Sequence, residues 1–130
     1  METKKNCCDY VESRNRDLQN TFNKLMASRS VSTGDIFGRM TRMPAPRFYI
    51  NEERAYALIL GRLLHARRGV SMESRVEMVD EIERRVRKLL AEDPSLTVKD
   101  AVYKVVNSPA PAFFLTKGSI RTLVYRTLRA

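Results

Sequence analysis

The residues best suited to chemistry lie at the start of the last predicted helix, Thr116-Lys117-Gly118-Ser119. The first turn of a helix offers unpaired backbone amides and the positive end of the helix dipole, so a cation, a glycine and a hydroxyl there suit a phosphate group. The related segment 65 residues earlier reads Asn51-Glu52-Glu53-Arg54, and its two carboxylates would repel phosphate. We therefore expect anion binding at the second of these helix starts and not at the first.

The charge of the whole chain favours the same chemistry. Its 24 Lys and Arg residues outnumber its 15 Asp and Glu residues, which gives a formal net charge of +9. The segment from Ala101 to Ala130 contains no acidic residue. A basic surface of this kind attracts polyanions such as nucleic acid. The predicted phosphate contacts are Lys117, Ser119, Arg121, Arg126 and Arg129, with Arg54, Arg62 and Arg68 as additional contacts from the first half of the chain.

The residues needed for other chemistries are missing from the sequence. His65 is the single histidine, and the two cysteines, Cys7 and Cys8, are adjacent, so the chain lacks a zinc-binding set and we expect reduced thiols. It also lacks a glycine-rich phosphate loop, a serine elbow and a Cys–His pattern. We therefore expect no catalysis, no metal, no cofactor and no small-molecule substrate.

No apolar run approaches the roughly 18 residues of a membrane span, and the N-terminus lacks the apolar core of a signal peptide. We expect a cytoplasmic protein without a membrane partner.

A duplicated pattern organises these residues. Residues 44–49 read Pro-Ala-Pro-Arg-Phe-Tyr and residues 109–114 read Pro-Ala-Pro-Ala-Phe-Phe, again 65 positions apart. We call these two segments the Pro-Ala-Pro boxes. Self-similarity of this kind indicates one structural unit used twice. We predict an all-α fold with a flexible N-terminus (1–8), a first helical unit (9–69) and a second helical unit (70–130) that share one core.

Each unit is predicted to contain a long helix, a short capped helix, a proline elbow and a final helix. Apolar residues at helical spacing predict long helices over 9–28 and from Ser71 to about Ala91. The short helices begin at Ser32 and Thr97, each followed three residues later by Asp as in a capping box. The predicted N-caps of the final helices are Asn51 and Thr116, and the first of these helices is expected to end at Gly69.

The aromatic residues of the boxes have two interpretations. Proline ends the short helices, because it lacks an amide donor and disfavours the α region for the preceding residue. The rings that follow either pack inside and fix an elbow or lie outside as a platform on which bases stack. We favour burial, since aromatic side chains dominate the energetics of protein cores.

The basic run 84–88 is expected to be neutralised by its own helix. One turn earlier the sequence places acids, which predicts ion pairs between Asp80 and Arg84, Glu81 and Arg85, and Glu83 and Arg87. This face of the long helix is therefore predicted to be an ordinary solvated surface.

The order of elements resembles a trihelical helix-turn-helix unit used twice, although the connection from Asn107 to Thr116 is longer than the three or four residues of that motif. The paired boxes are also similar to small uncharacterised bacterial proteins, a resemblance that implies no activity. Two hypotheses follow. The first is a nucleic-acid-binding protein with a regulatory role, with DNA favoured over RNA. The alternative is a non-enzymatic interaction or assembly module, which homodimerisation through Tyr56, Leu60 and Leu64 would support.

Overall fold

The structure is a computed structural model that describes residues 10–28, 35–64 and 73–129, without the side chains of 73–75, 127 and 129. This part of the chain forms the helices α1 (Val11–Ser28), α2 (Ile36–Met40), α3 (Glu52–Leu63), α4 (Glu73–Glu92), α5 (Val98–Val106) and α6 (Lys117–Arg129). The predicted all-α class is confirmed, because the described residues add only one isolated β-bridge to these helices. None of these helices combines the length and the apolarity that a membrane crossing requires.

Side-chain caps fix three of the predicted helix starts. Asn51 accepts a hydrogen bond from the amide three residues on at 3.1 Å, and Thr97 and Thr116 do the same at 3.1 Å each. Such caps satisfy amides that a helix start leaves without a partner. The start of α2 differs, because its N-cap is Asp35, whose side chain makes no capping hydrogen bond.

Some sequence predictions fall outside the described residues. These are the flexible segment 1–8, both cysteines, and Ser32, His65, Arg68 and Ser71. The predicted end of the helix after Asn51 at Gly69 is wrong, because α3 ends at Leu63 with Leu64 as its C-cap. Within the described part, α4 ends at Glu92, one residue beyond the predicted Ala91.

The two Pro-Ala-Pro boxes pair with each other through their backbones. The amide of Ala45 donates to the carbonyl of Ala110 at 2.9 Å, and the amide of Ala110 donates back to the carbonyl of Ala45 at 2.9 Å. This reciprocal exchange is the isolated antiparallel bridge. The two alanines occupy equivalent positions in the boxes, so the bridge lies on a local two-fold relation between them.

The rings of the boxes lie in the core and stack in pairs across this bridge. Phe48 stacks on Phe114 with centroids 6.0 Å apart, and Tyr49 stacks on Phe113 at 5.9 Å. Phe48 is 0% exposed and Phe113 is 5% exposed. The interpretation of the rings as a buried elbow is therefore confirmed, and they are not an exposed stacking platform.

The helices pack across the two predicted units. The final helix of the first unit, α3, packs against α4 and α5, whereas α6 packs against α1 and α2. Equivalent positions supply the buried contacts, with Ala55 and Ile59 in α3 and Ile120 and Val124 in α6. The pair α1 and α2 is thus covered by a helix from the second half of the chain, and the pair α4 and α5 by a helix from the first half. The core is continuous across both halves.

Candidate nucleic-acid interface

The exposed surface of α6 carries three cations. Lys117, Arg121 and Arg126 are exposed, as is Ser119, whereas Ile120 and Val124 of the same helix are buried in the core. None of the three cations forms an ion pair with any residue in the described ranges. The structure therefore brings four of the predicted contacts together on one helix.

An exposed aromatic ring lies among these cations. The Arg121 guanidinium is 5.9 Å from the ring centroid of Tyr125, which is 42% exposed. Beneath it, Phe37 of α2 meets Tyr125 edge-on at 5.6 Å and stacks on Phe22 of α1 at 5.8 Å. A ring held from below and bordered by a guanidinium suits stacking with a base. Sequence reasoning missed Tyr125, although its spacing of four residues from Arg121 was a visible signal.

A hollow of about 380 Å³ opens beside the first turn of α6. Arg14 of α1 lines it together with Gly118, Ser119 and Thr122. The guanidinium of Arg14 donates to the side-chain oxygen of Asn15 at 3.2 Å, a neutral partner that leaves its charge in place. Sequence reasoning missed Arg14, because no local pattern places α1 next to α6.

Two further cations lie on the neighbouring element. Arg39 of α2 and Arg42, just after α2, are exposed, and α2 packs against α6. Neither arginine forms an ion pair within the described part of the chain. They add two exposed cations on the element that packs against α6, and the sequence offered no signal for them apart from their charge.

The start of α3 is occupied by its own carboxylates. Tyr10 donates to the Glu52 carboxylate at 2.6 Å and Asn107 donates to it at 3.1 Å. Burial acts to raise the pKa of Glu52, but these hydrogen bonds and the nearby Arg47 outweigh it and lower the pKa. The acid therefore stays ionised at neutral pH, which disfavours phosphate there. Arg54 is exposed next to this negative charge.

Arg62 pairs with two carboxylates of α4. Its guanidinium donates to Asp80 at 2.5 Å and to Glu83 at 3.0 Å, which joins α3 to α4. The predicted pair of Asp80 with Arg84 is wrong, because Arg84 pairs with Glu81 at 2.7 Å. Because two carboxylates already neutralise its guanidinium, Arg62 should attract a phosphate only weakly.

Of the remaining predictions about charged residues, two ion pairs are confirmed and two phosphate contacts fall outside the described side chains. The pairs of Glu81 with Arg85 and of Glu83 with Arg87 are confirmed at 2.7 and 2.9 Å. Arg129 ends α6, but its side chain and the whole of Arg68 lie outside the described residues.

Comparison of the chain with protein-family models, with curated proteins and with solved structures found no match. A functional assignment therefore depends on the chemistry and geometry of its own residues.

Proposed function

We propose that this protein binds nucleic acid, DNA in preference to RNA, through the outward face of α6. The observation that carries the proposal is a set of three exposed cations on α6, Lys117, Arg121 and Arg126, which form no ion pair within the described ranges; the exposed ring of Tyr125 lies 5.9 Å from the Arg121 guanidinium. The role is non-enzymatic and regulatory, and the protein acts in the cytoplasm.

Physical arguments support contact with DNA. A helix of 13 residues is about 20 Å long, and the major groove of B-DNA, about 12 Å wide, admits a helix. The major groove of A-form RNA is too deep and narrow for side chains to read. Lysine and arginine contacts to phosphate supply affinity without sequence information, so non-specific binding is the expected baseline.

Salt dependence of binding tests the proposal directly. Fluorescence anisotropy with a labelled 20-base-pair duplex measures the dissociation constant at 50 and 200 mM salt. Three phosphate contacts predict a weakening of about 40-fold between these concentrations. An undetectable interaction with duplex and single strand at low salt would contradict the proposal.

Alanine variants of α6 test whether this helix forms the surface that binds nucleic acid. Replacing Lys117, Arg121 or Arg126 by Ala should weaken binding to all sequences and reduce the salt slope by about one each. Arg87→Ala is the matched control, because Arg87 is exposed on α4 but already paired with Glu83. An equal loss in the control would show that only net charge matters.

A second candidate function is self-association, favoured by one observation. Leu64 at the end of α3 is 69% exposed, and Tyr56 and Leu60 of the same helix are half-buried. Exposed apolar side chains at a helix end suit an interface with a second copy. Light scattering of the native protein and of Leu64→Lys tests this function, since only a dimer through α3 would lose mass on substitution.

A further inference from the structure

A groove lies between α4 and α5, the two helices that pack against α3. Its volume is about 550 Å³. Leu89 of α4, which is half-buried, gives it an apolar floor, and Val105 of α5 lies at the same place but is only 3% exposed. The groove is separate from the face of α6, which packs against the other pair of helices.

Cations line both sides of this floor. Arg84 and Lys88 lie one turn apart on α4, and Lys104 lies across from them on α5. Arg84 donates two hydrogen bonds to Glu81, at 2.7 and 3.2 Å, and Lys88 forms a long ion pair with Glu92 at 4.0 Å; both cations are mostly exposed, at 62% and 68% of the side chain, so these pairs are weak. Lys104 has no ion pair with a described residue. The residues that line the groove thus carry more positive than negative charge.

Other residues fix the inner wall and the polarity of the groove. Arg85 donates to Glu81 at 2.7 Å and to the carbonyl of Pro109 at 2.7 Å, so it is structural and holds the second elbow against α4. Glu92 lines the end of the groove towards the C-terminus of α4. A ligand's acids therefore belong nearest to Arg84, away from that end.

We infer that this groove binds an acidic amphipathic helix of another protein. Apolar side chains of that helix pack on Leu89, and its carboxylates flank them to meet Arg84, Lys88 and Lys104. The nine residues of α5 span about 14 Å, which accommodates two to three turns of a bound helix. This partner goes beyond the proposed binding of nucleic acid.

The composition of the groove favours a protein segment over nucleic acid. No aromatic side chain is among the described residues that line it, so bases have nothing on which to stack. The apolar floor matches leucine-like side chains, and cations on both sides match acids on both flanks of one apolar stripe.

Titration of the full-length ¹⁵N-labelled protein with a synthetic peptide tests the inference. The probe is a 14-residue helical peptide with a leucine stripe flanked by glutamates, and its control carries glutamine at those positions. We expect saturable shifts at the amides of Leu89, Lys104 and Val105 with the acidic peptide, and at least about tenfold weaker binding of the glutamine version.

Charge-reversal variants distinguish binding in the groove from a general effect of the protein's net charge. Lys88→Glu with Lys104→Glu should weaken binding of the acidic peptide by about tenfold or more. The control, Arg16→Glu with Lys24→Glu, makes the same change in net charge at two exposed positions of α1 and should bind as the native protein does.

Three results would overturn the inference: no saturable shift up to millimolar peptide, equal binding of the glutamine peptide, or equal loss in the α1 control. The duplex used above distinguishes the two proposals. It should shift amides of α6 and leave those of the groove unchanged, so either proposal can fail without the other.

Discussion

At the scale of residues, one hydroxyl distinguishes the aromatic pairs of the two boxes, because Tyr49 in the first box corresponds to Phe114 in the second. The hydroxyl of Tyr49 donates to the carboxylate of Asp17, which links the first box to α1. Burial of the ring raises the pKa of Tyr49 above its ordinary value, and the bond to Asp17 acts in the same direction. Tyr49 therefore remains a neutral donor across the physiological range. Its equivalent, Phe114, has no hydroxyl and adopts a φ of 58°, which is strained for a bulky residue.

Removal of that hydroxyl should destabilise the fold. Tyr49→Phe keeps the buried ring but leaves Asp17 without its donor, and we expect the free energy of unfolding to fall by about 1–2 kcal/mol. Urea denaturation measures the change. Tyr125→Phe is the control, because the ring of Tyr125 is exposed; a similar loss there would mean that the Tyr49 bond has no special role.

Paired carboxylates predict how stability depends on pH. A hydrogen bond from Arg84 lowers the pKa of Glu81. Burial acts to raise the pKa of Glu83, but Arg62 and Arg87 outweigh it and lower that pKa as well. A lowered pKa in the folded state stabilises the protein above the unfolded value, about 4.3 for Glu, and this gain is lost as pH falls through the folded value.

The urea midpoint should therefore be level near neutral pH and fall below about pH 4. Glu83→Gln should lower the midpoint at neutral pH and make its acid dependence shallower. Glu77→Gln changes an exposed carboxylate of α4 that lies beyond the first turn and has no ion pair in the described ranges, and it should leave the curve nearly unchanged. A native curve without an acid limb would show that these pairs contribute nothing.

At the scale of elements, local rules explain what the sequence predicted. A cap involves neighbours three residues apart, so the starts at Asn51, Thr97 and Thr116 were visible in the sequence. The partners of Arg62 lie 18 and 21 residues away, and only the placement of α3 beside α4 brings them together. An apolar stripe shows that a helix face is buried but not which helix covers it, so the packing of α6 on α1 and α2 was beyond sequence reasoning.

The first turn of α6 offers a test of helix propensity. Gly118 is exposed, and a Cβ built at this position meets nothing within 4 Å. Gly118→Ala should therefore stabilise the protein by about 0.5 kcal/mol, since alanine restricts the unfolded chain without a steric cost in the helix. Thermal unfolding measures the gain. Thr116→Ala serves as the opposite change, because losing the cap should cost about 1 kcal/mol.

At the scale of the whole molecule, the crossed packing makes the two halves depend on each other. The boxes exchange backbone hydrogen bonds at Ala45 and Ala110, and the final helix of each half covers the other half. This arrangement is what a duplicated unit would produce about a local two-fold axis, and the duplication itself stays a prediction. The charges break the symmetry, since acids start α3 and a lysine starts α6.

A small cavity under α6 should therefore weaken the first half of the chain. Ile120 is fully buried, and Ile120→Val should cost about 1 kcal/mol. Because α6 covers α1 and α2, native-state hydrogen exchange should show the same loss of protection at Leu18 and Leu25 of α1 as within α6. Circular dichroism and tyrosine fluorescence should report one coincident unfolding transition. If α6 lost protection while α1 kept it, the last helix would be a dispensable cover, and the core would not be continuous across the two halves.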